Sequence, residues 1–253
     1  MGPVPDDDVM TRTSRLPDAV LRYADHDAGL VDVHLPAEGA GEDRPLVVNV
    51  HGGFWRPAWD RTHARPYAEA LAGQGFVVAN VEYRRGPGAW RQTFEDLDTV
   101  LAGLPGLLRG IGVGTTTLTL TGHSAGGHLV LWLANQPHHV DRVVALAPVG
   151  DLRYAAETGM GDGAAVAFLG GTPQQRPEAY DAADPGTRLR SRPDAPVVVV
   201  HGDADEAVPV ESSRLLASRF GWLDVRELPG ADHSALIDPL SPCWPSVLAA
   251  VRG

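Results

Sequence analysis

The stretch Thr117–Gly127, TLTLTGHSAGG, constrains this chain more than any other. Leu118 to Thr121 alternate apolar and hydroxylic side chains, the period of a short β-strand, and His128 to Asn135 follow as a helical run. Between the two, Ser124 is bracketed by Gly122 and Gly126. A strand that turns straight into a helix leaves no room for a Cβ at the flanking positions, and glycine supplies that room. The turn lifts the serine hydroxyl off the sheet. The helix N-terminus behind it offers free N–H groups where negative charge can settle. Strand, glycine-bracketed serine and helix together form the pattern of a nucleophile elbow.

The rest of the chain fits one α/β domain over residues 1–253, a length sufficient for a full core. Residues 1–17 read as a lead-in. Val20–Asp25 and Leu30–Leu35 read as an antiparallel hairpin at a sheet edge, turning at Asp27-Ala28-Gly29. In the second of these, Asp32 and His34 alternate with Val31, Val33 and Leu35, which predicts one wet face. Strands are expected at Pro45–Val50 and Phe76–Tyr83, both buried, and at Val143–Ala147, Ala195–Val200 and Leu223–Leu228. Helices are expected at Ala64–Gly73, Phe94–Leu108 with Pro105 as kink or terminus, Val210–Phe220, and Ala235–Val251 with prolines breaking its first half. Strands alternating with helices imply a mostly parallel sheet with helices on both faces. Residues 148–192 carry no clear strand and read as a cap or lid segment, or as a plain crossover with long flanking loops.

Composition narrows the chemistry. All 21 basic side chains are arginine, so Schiff-base chemistry, a covalently held pyridoxal group and a lysine-dependent phosphate loop are excluded. A formal charge of −11 argues against nucleic acid or an anionic membrane surface as partner. The single cysteine, Cys243, allows no intrachain disulfide and no cysteine cluster for zinc, and a packing role is expected for it. MGPVPDDDVM lacks the apolar core of a signal peptide, and the apolar stretch 100–113 is interrupted by Gly, Pro and Arg109. A cytoplasmic protein is the expectation.

In a parallel sheet, ligand sites gather beyond the carboxyl ends of the strands. His51–Trp55, Gly122–Gly126, Asp203–Asp205 and Asp232–His233 each follow an expected strand and should meet on one rim. A serine hydroxyl needs a histidine to take its proton and an acid to orient that histidine. Among ten histidines, His233 in GADHS stands C-terminal to both serine and acid, the chain order this elbow uses. His123 and His128 flank the serine and are read as structural, His138 and His139 as solvated, and His201 as shaping the acid's loop. Asp205, opening the turn toward the next helix, is preferred as the acid; Asp203 is read as stabilising its own turn. Backbone N–H groups of Gly52, Gly53, Phe54 and Ala125 are the candidate oxyanion donors, because glycines after the strand PLVVNV let the backbone face a substrate carbonyl. Trp55 and Trp90 are candidate substrate-binding walls. Arg56, Arg84 and Arg85 are candidates to meet a substrate carboxylate.

From about Pro45 onward these motifs resemble the α/β-hydrolase superfamily. HGGFW resembles the His-Gly-Gly-X-Trp signature of the kynurenine formamidase (arylformamidase) branch and of related small carboxylesterases. GHSAGGHL resembles that branch's elbow, and HGDADEAVP its acid loop. The resemblance implies Ser124, Asp205 and His233 as a catalytic triad, oxyanion N–H groups around Gly53, Phe54 and Ala125, and no metal or organic cofactor. It implies hydrolysis of a small ester or formamide-like amide through an acyl-enzyme. A general carboxylesterase acting on short acyl esters and a non-catalytic binding protein on the same fold are the alternatives. Two departures stand out: Phe54 replaces the third glycine of hormone-sensitive-lipase-like esterases, and Tyr83-Arg84-Arg85-Gly86 matches their Tyr-Arg segment only in part. The substrate, its ester or amide nature, and the oligomeric state are not legible in the sequence.

Overall fold

Runs of β-branched residues build the centre of the molecule, which is a computed structural model describing residues 8–37 and 43–253. β3 (Arg44–Val50), β4 (Val77–Val81), β5 (Thr115–His123), β6 (Arg142–Leu146), β7 (Val197–Gly202) and β8 (Asp224–Leu228) run parallel. β1 (Ala19–Arg22) and β2 (Leu30–His34) form the expected antiparallel hairpin, with β1 at the sheet edge. Together they make one eight-stranded sheet in the order β1-β2-β4-β3-β5-β6-β7-β8. Strands such as VVANV and VVVVHG are buried along their whole length, as covering on both faces requires.

One core layer packs α2 (Trp90–Gly110) and α3 (Ala125–Leu133) on the sheet. The other packs α1 (Arg65–Ala72) and α9 (Trp244–Arg252), and takes in Val9 of the lead-in. α8 (Glu211–Arg219) closes the β7–β8 end. Among the described residues, no helix is long and apolar enough to cross a membrane.

Several local expectations are corrected. β2 has no wet face: Asp32 and His34 are fully buried. Arg61 and Arg65 arrive from the segment leading into α1, each donating from Nε to one oxygen of Asp32 at 2.8 Å. α2 runs past Pro105 to Gly110 rather than ending at it. The closing helix begins only at Trp244, so that Pro245 falls in its first turn, where a missing N–H costs nothing. Residues 148–192 hold four helices, α4 (Leu152–Glu157), α5 (Met160–Leu169), α6 (Pro177–Ala183) and α7 (Pro185–Arg188), and no strand. Gly161, Asp162 and Gly163 are left-handed, so α5 is kinked at its start.

Candidate active site

Ser124 stands between β5 and α3 with φ 57° and ψ −118°, a backbone conformation that L residues avoid. Its neighbours explain how the turn closes. A Cβ on Gly122 would lie 2.3 Å from the Gly126 carbonyl oxygen, and one on Gly126 would lie 1.9 Å from the Val50 oxygen. Glycine at both positions lets α3 start hard against β5 and against the end of β3. Ser124 N–H donates to Leu146 O at 2.8 Å, fixing the turn to β6. Ala125 is the first residue of α3, where backbone N–H groups lack a partner within the helix.

The segment after β3 comes up against this turn. A Cβ on Gly52 would sit 2.9 Å from the His123 carbonyl oxygen and 3.1 Å from the Cβ of Ser124, so glycine lets the strand end pass this close to the serine. Gly53, Phe54 and Trp55 all have positive φ, at 104°, 50° and 54°. The Gly52 carbonyl accepts from His51 Nδ1 at 2.8 Å. In a trans peptide the carbonyl oxygen and the following N–H point opposite ways, so the Gly53 N–H faces away from His51. His51 is itself wedged in place: Nε2 meets Glu82 Oε1 at 3.1 Å, the ring stacks on Tyr83 at 4.5 Å, and Tyr83 donates to the His51 carbonyl. Burial opposes ionisation of Glu82, but the His51 hydrogen bond and the Arg85 guanidinium outweigh it and hold its carboxyl down at about 2.

Asp205 and His233 meet directly. His233 Nδ1 donates to Asp205 Oδ2 at 2.6 Å, which leaves Nε2 free to accept a proton. Asp205 Oδ1 takes the N–H groups of Ala207 and Val208, at 2.9 and 2.8 Å, so the carboxylate cannot rotate without losing two bonds. Burial works against its charge, yet hydrogen bonds from His201 and His233 hold it well below the usual carboxylate range. His201 Nε2 also lies 2.8 Å from Val208 O and its Nδ1 2.7 Å from Ser213 Oγ, so this residue braces the acid's loop. Asp203 is exposed and accepts from Gly230 N at 2.6 Å, tying the β7 and β8 loops together. A Cβ on Gly202 would lie 2.1 Å from Ala231 O, which is what brings the His233 loop down onto β7.

His123 joins the two halves. Its Nε2 donates to the His233 carbonyl at 2.8 Å, and the two rings lie 4.3 Å apart. Burial pushes the His123 imidazole far below its ordinary pKa, as it does that of His128, which falls to about 4 while bonding to Ala183 O at 3.0 Å. Both are neutral packing groups. His139 is exposed, whereas His138 is largely covered and meets Asp98 at 3.0 Å, contrary to the solvated position expected of it.

The substrate-facing candidates divide. Trp55 is 2% exposed, stacked on Phe168 at 4.7 Å and edge-on to His128, and lines a small cavity together with Phe54. Trp90 packs on Phe94 under the Arg91 guanidinium and borders a different cavity, so the two tryptophans do not face one ligand. Arg84 is held by Asp96 and Arg85 by Glu82, so both guanidinium groups already have a carboxylate partner within the chain. Arg56 is half-exposed and donates to Gly161 O. Sequence reasoning missed His63, buried between His51 and Trp59 with its pKa lowered to about 4 by burial. Its place before α1 gave no periodic signal.

A family profile described as BD-FAE matches residues 31–220, most of the chain. The chain belongs to the BD-FAE family. Within the family assignment, the curated relatives include Esterase LipC of Mycobacterium tuberculosis, 28% identical over 239 residues, covering 83% of this chain and 58% of that protein. The chain spans about half the length of the curated esterases it matches. Among solved structures, Esterase B from Lactobacillus rhamnosis in an inhibited form superposes with a TM-score of 0.79 at 22% identity, over 94% of this chain and 87% of that one. A truncated carbohydrate esterase from gut microbiota gives 0.77 at 16% identity, over 94% of this chain and all of that one. These likenesses establish the α/β-hydrolase fold, with the mostly parallel sheet and flanking helices expected of it.

Proposed function

We propose that the protein is a serine hydrolase that cleaves small carboxylic esters through an acyl-enzyme, with Ser124 as nucleophile, His233 as general base and Asp205 as its orienting acid. The observation that carries this is the Asp205–His233 pair: a clamped carboxylate takes Nδ1–H at 2.6 Å and leaves Nε2 bare, while His123, the residue before Ser124, holds the His233 carbonyl at 2.8 Å. His233 takes the Ser124 proton as the hydroxyl oxygen attacks the ester carbonyl. The developing oxyanion is held by backbone N–H groups of Ala125 and of the Gly52–Phe54 turn, which strained φ values fix in advance of substrate. His233 then hands its proton to the departing alcohol. Water, deprotonated by the same imidazole, releases the acid. The named esterases among its relatives support ester rather than amide substrates.

A second reading, hydrolysis of a formamide-type amide, is favoured by the segment His51-Gly52-Gly53-Phe54-Trp55. Rates on p-nitrophenyl acetate and butyrate against N-formylkynurenine distinguish the two. A fluorophosphonate should label the wild-type protein and leave Ser124→Ala unlabelled; equal labelling of both would overturn the assignment of the nucleophile.

A further inference from the structure

We propose that His123, beyond its packing, is the positioning residue that sets how far the His233 imidazole stands from Ser124, while Asp205 sets that ring's direction and tautomer. This rests on the serine-esterase reading above. His123 ends β5 and directly precedes the serine, so the chain itself fixes its ring to the elbow. Its Nε2 donates to the His233 carbonyl at 2.8 Å, with the two rings 4.3 Å apart. Its Nδ1 borders the candidate oxyanion turn: a Cβ on Gly52 would lie 3.4 Å from that nitrogen. One imidazole thus meets the base and the oxyanion turn from the position next to the nucleophile.

The loop that carries His233 is otherwise fastened to the turn after β7. Ala204 N donates to Ala231 O at 3.1 Å, Gly230 N to Asp203 Oδ1 at 2.6 Å, and His233 Nδ1 to Asp205 Oδ2 at 2.6 Å. These bonds orient the imidazole against its acid. They do not set its approach to Ser124, because β7 is separated from β5 by β6. Among the hydrogen bonds of residues 230–235 in the described structure, the one from His123 reaches the elbow.

Charge points the same way. On taking the serine proton, His233 becomes a cation beside the His123 ring. Burial pushes the His123 imidazole far below its ordinary pKa, so it stays neutral, donates through Nε2–H and does not oppose the new charge.

The test is kcat and KM on p-nitrophenyl acetate for three variants, with thermal melts. His123→Gln places an amide N–H where Nε2 stands. His123→Asn carries the same amide but ends near the position of Nδ1, and His123→Leu fills the space with no donor. A misplacement of 1 Å can cost about 100-fold, so the Leu and Asn variants should lose about 100-fold in kcat with KM little changed, and His123→Gln should stay within about tenfold of wild type. Stability should run the other way for Leu and Gln, because the buried amide of His123→Gln leaves an oxygen without a donor. A side chain that only packs would give activity that follows the melts, with Leu at or above Gln. That order, or a loss confined to KM, in a protein whose wild type hydrolyses the ester, would overturn the role of His123 alone. Should His123→Leu fail to fold, the Gln and Asn variants, alike in polarity, decide the matter: equal kcat for the two would overturn it. No hydrolysis of any ester and no fluorophosphonate labelling by the wild-type protein would overturn the esterase reading and this one with it.

Discussion

Replacing Asp205 with asparagine tests the candidate triad at its most geometrically determined point. Oδ1 already accepts from the N–H groups of Ala207 and Val208, so the amide oxygen of the substituted side chain must take that place. The NH2 group is then left facing His233 Nδ1, at the position where Asp205 Oδ2 accepted a proton at 2.6 Å. Two donors cannot share one bond, so Nδ1 must turn acceptor and the ring proton moves to Nε2. An imidazole carrying its proton on Nε2 is the wrong tautomer to take a proton from Ser124. Where an acid of this kind has been neutralised without loss of geometry, turnover drops roughly 10⁴-fold, about 5 kcal/mol of transition-state stabilisation. Asp203→Asn is the control, because its Oδ1 bond to Gly230 N survives as an amide acceptor. That variant should stay within about threefold of wild type, as expected for an exposed side chain whose bond is conserved. The assay is kcat on p-nitrophenyl acetate, with thermal melts to show that each variant folds. Asp205→Asn keeping more than a tenth of wild-type turnover, or Asp203→Asn being the worse of the two, would refute the assignment.

Two further perturbations probe the scaffold. Gly126→Ala places a methyl 1.9 Å from Val50 O and should cost at least about 3 kcal/mol, lowering the melting temperature by roughly 6–12 °C, whereas Gly103→Ala on open α2 should raise stability by about 0.5–1 kcal/mol. Similar melting temperatures for the two would show that the elbow is not as tightly packed as these distances require. Asp184 bonds Leu152 N and Gly186 N, and burial together with the neighbouring Asp151 pushes its carboxyl up to about 6. A raised carboxyl favours folding only while protonated, so its stabilisation is present below about pH 4 and is lost as pH rises through 6. Asp184→Asn should therefore be more stable than wild type at pH 8, by up to about 3 kcal/mol, and match it at pH 4; a gain that is the same at both pH values would show that Asp184 does not titrate in this range.

The features legible in the sequence are those whose determinants are local. Val197 to Val200 can only be an inner strand, and Gly122 and Gly126 announce a turn that no other residue fits. Asp205 was separable from Asp203 by position in the turn. Burial decided by distant partners was invisible: Asp32 reads as a wet residue until Arg61 and Arg65 reach it across 29 and 33 positions of chain. Arg84 and Arg85 look available for substrate until Asp96 and Glu82 are seen to hold them. Trp55 belongs to the same class, since its stacking partner Phe168 lies in a helix whose fold the spacing of short apolar runs did not reveal.

The bidentate tie between Arg12 and Asp238 joins positions 226 apart, and Val9 sinks into the layer formed by α1 and α9. The opening of the chain is thereby stapled to the loop that carries His233. A small fluorophore on Thr13, which borders a groove of about 450 Å³ between Trp59, His63 and residues 11–14, would report motions of that loop. The same attachment makes the early residues a lever: a change of length or charge in them can be transmitted to the imidazole without altering anything in the sheet.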